Sequence, residues 1–150
     1  MAYTTIDNPE AYFQVKLYTG NGSTQTITLD NTDADLDPDL IIVKKRSGTH
    51  DSVVVDTVRG VTKVIETSTT DAEATWTNGI TAISTDSFAL GDSGANNDNT
   101  ETFVAWCWKE TATAGFDITT WTGNATNRTI SHNLSVAPRV LIIKNTSTTN

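Results

Sequence analysis

The chain has 150 residues, of which 37% are hydrophobic and 19% charged, with a formal net charge of −8. Ten Lys and Arg face eighteen Asp and Glu, and the longest basic run is Lys44-Lys45-Arg46, so no surface could neutralise a row of phosphates. Direct binding to nucleic acid is not expected on that ground. The polarity comes instead from 29 Thr, 10 Ser and 12 Asn. Thr is β-branched and stiff at χ1, which favours strands over helices, and the expected fold is all-β.

No apolar stretch reaches the length of a membrane span, and Met1 to Asp7 lacks the basic and apolar regions of a signal peptide. The expectation is a protein made in the cytoplasm, with no membrane partner. A single cysteine, Cys107, excludes an internal disulfide framework.

Taken in order, residues 1–11 contain Pro9 and no periodicity, and read as an N-terminal arm that docks on a partner. Phe13, Val15 and Leu17 alternate with Gln14 and Lys16, as in a half-buried strand. Thr19-Gly20-Asn21-Gly22 supplies a turn, and Thr26-Ile27-Thr28-Leu29 returns as the second arm of a hairpin. Leu40-Ile41-Ile42-Val43 is a continuous apolar run, suited to a strand buried on both faces. Ser52 to Val55 and Val61 to Ile65 flank a turn at Asp56-Thr57-Val58-Arg59-Gly60, where Arg59 is expected to pair with Asp56 or Asp51 and fix the turn. Thr70 to Ala74 has the one helical composition in the chain. Ile80 to Ile83, Ser87 to Leu90 and Thr102 to Trp108 complete the strands, with a long hairpin connection expected at 91–101. In the last strand Val104, Trp106 and Trp108 share one face and Phe103, Ala105 and Cys107 the other, which predicts a central strand with core packing on both sides. Seven or eight strands in about 100 residues describe an antiparallel β-sandwich or jelly roll.

The sequence also repeats itself. Phe13 to Asn21 reads beside Phe116 to Asn124, and Thr26-Ile27-Thr28 beside Thr129-Ile130-Ser131, both at an offset of 103. Pro38-Asp39-Leu40-Ile41-Ile42-Val43-Lys44 reads beside Pro138-Arg139-Val140-Leu141-Ile142-Ile143-Lys144 at an offset of 100. The predicted organisation is a repeat domain over 12–109, a linker over 110–114, and the start of a second, incomplete copy over 115–150. Either the chain continues beyond this piece, or the partial copy completes a neighbouring chain's sheet; unpaired strand edges favour continuation.

Six segments occur in a fixed order: Tyr18-Thr19-Gly20-Asn21-Gly22, Pro38 to Arg46, Asp56-Thr57-Val58-Arg59-Gly60, Ala72-Glu73-Ala74, Phe88-Ala89-Leu90-Gly91 and Val104 to Lys109. Together they resemble an uncharacterised domain that recurs, often in tandem, in structural proteins of marine tailed bacteriophages, proteins usually labelled tail fibres or virion-associated proteins. The resemblance covers residues 2 to 109 and, for the second copy, 115 to 150. It implies a non-enzymatic virion protein, most simply the N-terminal, tail-attaching part of a tail fibre. It further implies other virion proteins as partners (a tail adaptor or tube, or the capsid) and a homo-oligomer, in fibres a trimer. A capsid decoration protein and a lectin-like module for host surface glycans are the alternatives.

Candidate chemistry is sparse. Asp33, Asp35 and Asp37 have the odd-position spacing of an EF-hand loop, but Pro38 stands where its Gly belongs and Lys44 where its bidentate Glu belongs. That loop therefore reads as solvated and self-repelling rather than as a calcium site. His50 and His132 lie at non-equivalent places, and neither a nucleophile motif nor a phosphate loop is present, so no catalytic residue, cofactor or metal is expected. The lectin alternative names Trp76, an aromatic isolated in a polar stretch, as an exposed contact residue. Asp92, Asn96 and Asp98 of the Gly/Asn/Asp-rich loop would bind glycan hydroxyls or Ca²⁺ beside it.

Overall fold

The structure, a computed structural model, describes residues 6–30 and 34–147. Among these residues the strands run in chain order β1 Phe13–Thr19, β2 Gln25–Thr28, β3 Leu40–Lys45, β4 Val53–Asp56, β5 Lys63–Glu66, β6 Ala74–Thr75, β7 Ile80–Ser84, β8 Ser87–Leu90 and β9 Thr102–Trp108. One helical turn, α1 at Gly94–Asn97, and a 3₁₀ turn at Pro9–Ala11 accompany them. The helical turn falls in the loop read as a hairpin connection. Thr70 to Glu73 forms no helix, and Ala74 opens β6 instead. No helix among the described residues is long and apolar enough to cross a membrane.

The strands make two antiparallel sheets, a six-stranded one in the order β1-β9-β3-β4-β5-β6 and a three-stranded one in the order β2-β8-β7. The all-β sandwich expected from the Thr-rich composition is what the chain forms. Two connections differ from their expected form. β1 and β2 lie in different sheets, so Thr19 to Gly22 is a corner and not a hairpin turn, and the 91–101 loop likewise crosses from β8 in the small sheet to β9 in the large one.

The core fills the space between the sheets. Ile41, Val43, Val53, Val55, Val64, Phe103, Ala105 and Cys107 of the large sheet meet Ile27, Ile80, Phe88 and Leu90 of the small one, with Leu29, Leu36 and Ala95 sealing the rim. Register explains the choice, because Ile41 sits opposite both Cys107 and Val55, and Val43 opposite both Ala105 and Val53. β9 is central, as its two apolar faces predicted. Its faces are nonetheless unequal: Phe103, Ala105 and Cys107 are fully buried inside, whereas Trp106 and Trp108 are half-buried on the outer face. β3 is likewise sealed on one side, with Leu40 and Ile42 half-open on the other.

β1 reverses the expected orientation. Gln14, Lys16 and Tyr18 pair with Cys107, Ala105 and Phe103 and so belong to the inner face, while Phe13, Val15 and Leu17 point outward beside Trp108, Trp106 and Val104. A three-stranded sheet is too narrow to cover a six-stranded one. Only Tyr18 of this strand reaches the core, stacked on Phe103 at 5.3 Å and edge-on to Phe88 at 6.1 Å. Lys16 closes on Asp30 at 2.5 Å.

Beyond β9 the chain turns back on itself. Thr111 bridges to Phe116, Glu110 N–H donates to the Asp39 carboxylate at 2.8 Å, and Phe116 lies 6.4 Å from Trp108. Residues 110–114 therefore form a packed turn. In residues 6–11, Asn8 caps the 3₁₀ turn through Glu10 N–H, and Ile6 and Pro9 lie with Tyr12, Phe13, Trp108 and Phe116 around a cavity of about 250 Å³. Residues 1–5 lie outside the described residues.

Residues 117–147 form no strand. The physical reason is pairing. β1 is held by β9, β2 by β8, and β3 by β9 and β4. Residues 116–144 resemble β1 to β3 in sequence, but among the described residues none of these nine strands pairs with them. A strand without a partner leaves its backbone groups to water and gains nothing from extended order.

Candidate functional site

The loop between β8 and β9 carries three of the four predicted contact residues, and they point three ways. Asp92 is exposed and accepts from Asn78 Nδ2 at 2.9 Å, bracing the end of β8 against the turn before β7. Asp98 binds the Lys45 ammonium at 2.9 Å, with Glu101 3.7 Å from the same nitrogen. The hydrogen bond and charge of Lys45 hold the Asp98 carboxyl below its ordinary value, and Asp98 raises Lys45 in return. Asn96 is fully buried. It cannot reach a glycan hydroxyl, and neither its Oδ1 nor its Nδ2 has a hydrogen-bond partner among the described residues. An enclosed amide of this kind costs stability, about 1–3 kcal/mol for each unmade bond.

Trp76 is half-buried and packs against the core, rather than standing clear as an isolated contact. Its backbone N–H donates to Thr62 O at 2.9 Å, and Gly79 lies between its ring and the buried Asn96. Trp76 and Asn96 are thus neighbours under the surface, while Asp92 and Asp98 are each tied elsewhere. The four residues do not converge on one concave site.

The residue that organises this loop is Asn97, which the sequence reading passed over. It is fully buried; its Oδ1 accepts from Asn21 N–H at 3.0 Å and Gln25 Nε2 at 2.5 Å, and its Nδ2 donates to Ser23 O at 2.5 Å and Gly91 O at 2.6 Å. The Thr19-Gly20-Asn21 corner docks on the same place. Gly20 exchanges backbone hydrogen bonds with Glu101 and Thr100, and a Cβ on it would fall 2.2 Å from Asp98 O. Only glycine permits that approach. Tyr18 OH donates to Asn96 O at 2.6 Å, and burial pushes the phenol above its usual range. The signal available in the sequence was the Gly-Asn corner; its partner 76 residues away was not legible.

Arg59 resolves as expected on Asp56: its Nε donates to Asp56 Oδ2 at 2.6 Å and its backbone N–H to Asp56 Oδ1 at 2.8 Å. Glu73 adds a second carboxylate at 3.0 Å. Asp51 instead accepts from Ser68 Oγ. The cluster locks the β4–β5 turn to β6 and offers no unpaired guanidinium face.

In the acidic loop, Asp33 lies outside the described residues. Asp35 is exposed, and a hydrogen bond and like charge from Asp86 raise its carboxyl, the behaviour of a crowded acid pair. Leu36 N–H donates to Asp86 Oδ1 at 2.8 Å, so Asp86 pins the loop while Leu36 plugs the core. Among the described residues no group of three or more His, Cys, Asp or Glu side chains is placed to hold a metal ion. Cys107 is buried among apolar neighbours, and burial pushes its thiol up to about 12, so it is not a nucleophile at neutral pH.

One apolar face is open to solvent: the outer side of the large sheet, where Phe13, Val15 and Leu17 of β1 continue into Trp106 and Trp108 of β9 and Ile42 of β3. No curated protein and no solved structure matches this chain. A family model described as a domain of unknown function (DUF7483) matches residues 8–150, a range that takes in both the sandwich and the region after it, and the chain belongs to that family.

Proposed function

We propose that this chain is a non-enzymatic structural protein of a bacteriophage virion, the tail-attaching part of a tail fibre. The reading rests on the ordered six-segment resemblance to phage structural proteins. One structural observation supports it: the outer face of the large sheet presents Phe13, Val15 and Leu17 to solvent, an apolar patch of protein-binding character. Its partners on this reading are other virion proteins and further copies of itself, three to a fibre.

Electron microscopy of intact particles labelled with Fab fragments raised against residues 1–150 tests the proposal. Label clustered at the tail is the expected result. Label spread over the shell would replace the fibre with capsid decoration, and unlabelled particles would overturn the virion reading altogether. The lectin alternative gains nothing from the geometry, because its four contact residues do not converge.

A further inference from the structure

Four aromatic rings meet at one cavity of this chain, and acids flank it. The cavity, of about 250 Å³, lies where the 3₁₀ turn, the start of β1 and the end of β9 come together. Register sets Phe13 opposite Trp108, with their ring centroids 4.9 Å apart. The Thr111–Phe116 bridge then returns Phe116 to the same indole, at 6.4 Å. Tyr12 supplies the fourth ring, and its carbonyl is held by Lys109 N–H at 2.9 Å. A cavity of about 150 Å³ is enough to admit a benzene, so there is room here for a small organic ligand.

Charge decides which ligand fits. Ile6, Pro9, Lys109 and Phe116 all line the cavity, and each is followed in the chain by an acid: Asp7, Glu10, Glu110 and Asp117. Asp7 and Glu10 are exposed, while Glu110 and Asp117 are half-buried. Burial, and then the like charge of Asp117, raise the Glu110 carboxyl above its ordinary value, and Asp117 Oδ1 is enclosed without a hydrogen-bond partner among the described residues. Against these four acids, Lys109 is the one cation among the described residues that line the cavity. The face of an aromatic ring is its negative side, so rings and carboxylates favour the same guest, one that is both positive and apolar. A neutral guest gains nothing from the acids, and a hydrated metal ion gains little from apolar walls. The larger cavity beside Trp121, of about 510 Å³, does not share this character: it has one ring, and its one charge is Lys144.

We infer that the cavity between the 3₁₀ turn, β1 and β9 binds a small organic cation of the quaternary ammonium class. Its alkyl groups lie against Phe13, Trp108 and Phe116, and the flanking acids balance its charge. The inference stands apart from the virion reading, since it concerns only what this cavity takes up in solution.

Choline is the probe, titrated at low salt into the 150-residue chain and followed by NMR through the N–H signals of residues 10–13, 108–110 and 114–117. The control is its neutral isostere, in which a tert-butyl group replaces the trimethylammonium. Choline is expected to shift these signals saturably, and the isostere to bind about tenfold more weakly or not at all. Phe116→Leu keeps apolar bulk but removes a ring face, and is expected to weaken choline about three- to tenfold. Lys109→Met keeps an apolar stem and removes the opposing charge, so it is expected to tighten choline about two- to fivefold. Glu10→Gln, at an exposed position, is expected to weaken it about twofold. Circular dichroism of each variant checks that the sandwich is intact, and the two charge variants decide the matter should Phe116→Leu disturb the turn. No saturable shift with choline, equal binding of the isostere, or weaker choline binding after Lys109→Met would each overturn the inference.

Discussion

Ile41 and Leu141 occupy matched positions in two stretches of one pattern, yet Ile41 is fully buried between the sheets and Leu141 stands in solvent. The same contrast holds at the corner: Gly20 is pressed against the backbone of residues 97 and 98, whereas a Cβ on Gly123 would meet nothing within 4 Å. Tyr18 stacks on Phe103 and bonds Asn96; Trp121, its counterpart, is exposed. What separates the two stretches is not their own propensity but the presence of β4, β8 and β9 around the first. Strand formation here is a property of pairs.

The contrast can be broken at its strongest point. Ile41→Ala removes a side chain enclosed by both sheets and is expected to cost about 2–5 kcal/mol in urea unfolding. Leu141→Ala is expected to change stability by less than about 0.5 kcal/mol. Equal effects at the two sites would mean that residues 138–144 are packed like β3. Next in size is the corner. Gly20→Ala forces a methyl group into backbone atoms and is expected to lower stability by about 1–3 kcal/mol, while Gly123→Ala leaves the unfolding midpoint where it is. Smaller again is Tyr18→Phe, which deletes the hydroxyl bonded to Asn96 O and is expected to cost about 1 kcal/mol. Trp121→Phe should fall within the error of the parent.

Much of the fold was legible because alternation and apolar runs report strands directly. β4, β5, β7, β8 and β9 fall where Val, Ile and Phe recur between turn residues. The pairing of Arg59 was legible too, since a guanidinium three residues from a carboxylate in a tight turn has few other choices. Orientation and sheet membership were not. The alternation in β1 says that one face is apolar, not which face is inside, and the answer depends on the narrow second sheet and on Trp106 and Trp108 outside. Asn97 looked like a turn residue because its partners, Asn21, Ser23 and Gln25, lie more than 70 residues away. Trp76 looked exposed because its sequence neighbours are polar, while its packing partners come from elsewhere in the chain.

The contrast is finest at position 45, where β3 carries Lys and the matched position 145 carries Asn. Lys45 is the cation that holds Asp98, and through it the 91–101 loop, to the large sheet. Lys45→Asn, which writes the residue of the second stretch into the first, is expected to weaken the fold less than any change above in the folded stretch, because Asp98 is half exposed to water. Its pH dependence identifies the cause. The Asp98 carboxyl lies below its ordinary 3.8 in the folded chain, so its contribution is present above that pH and is lost as pH falls through the lowered value. Lys45 lies above its ordinary 10.5, so its contribution is present below that pH and is lost as pH rises through the raised value. The stability difference between parent and Lys45→Asn should therefore be flat across neutral pH and shrink at both extremes. A difference that stayed constant into acid would show that Lys45 acts through the packing of its methylene stem against Gly48 and not through its charge.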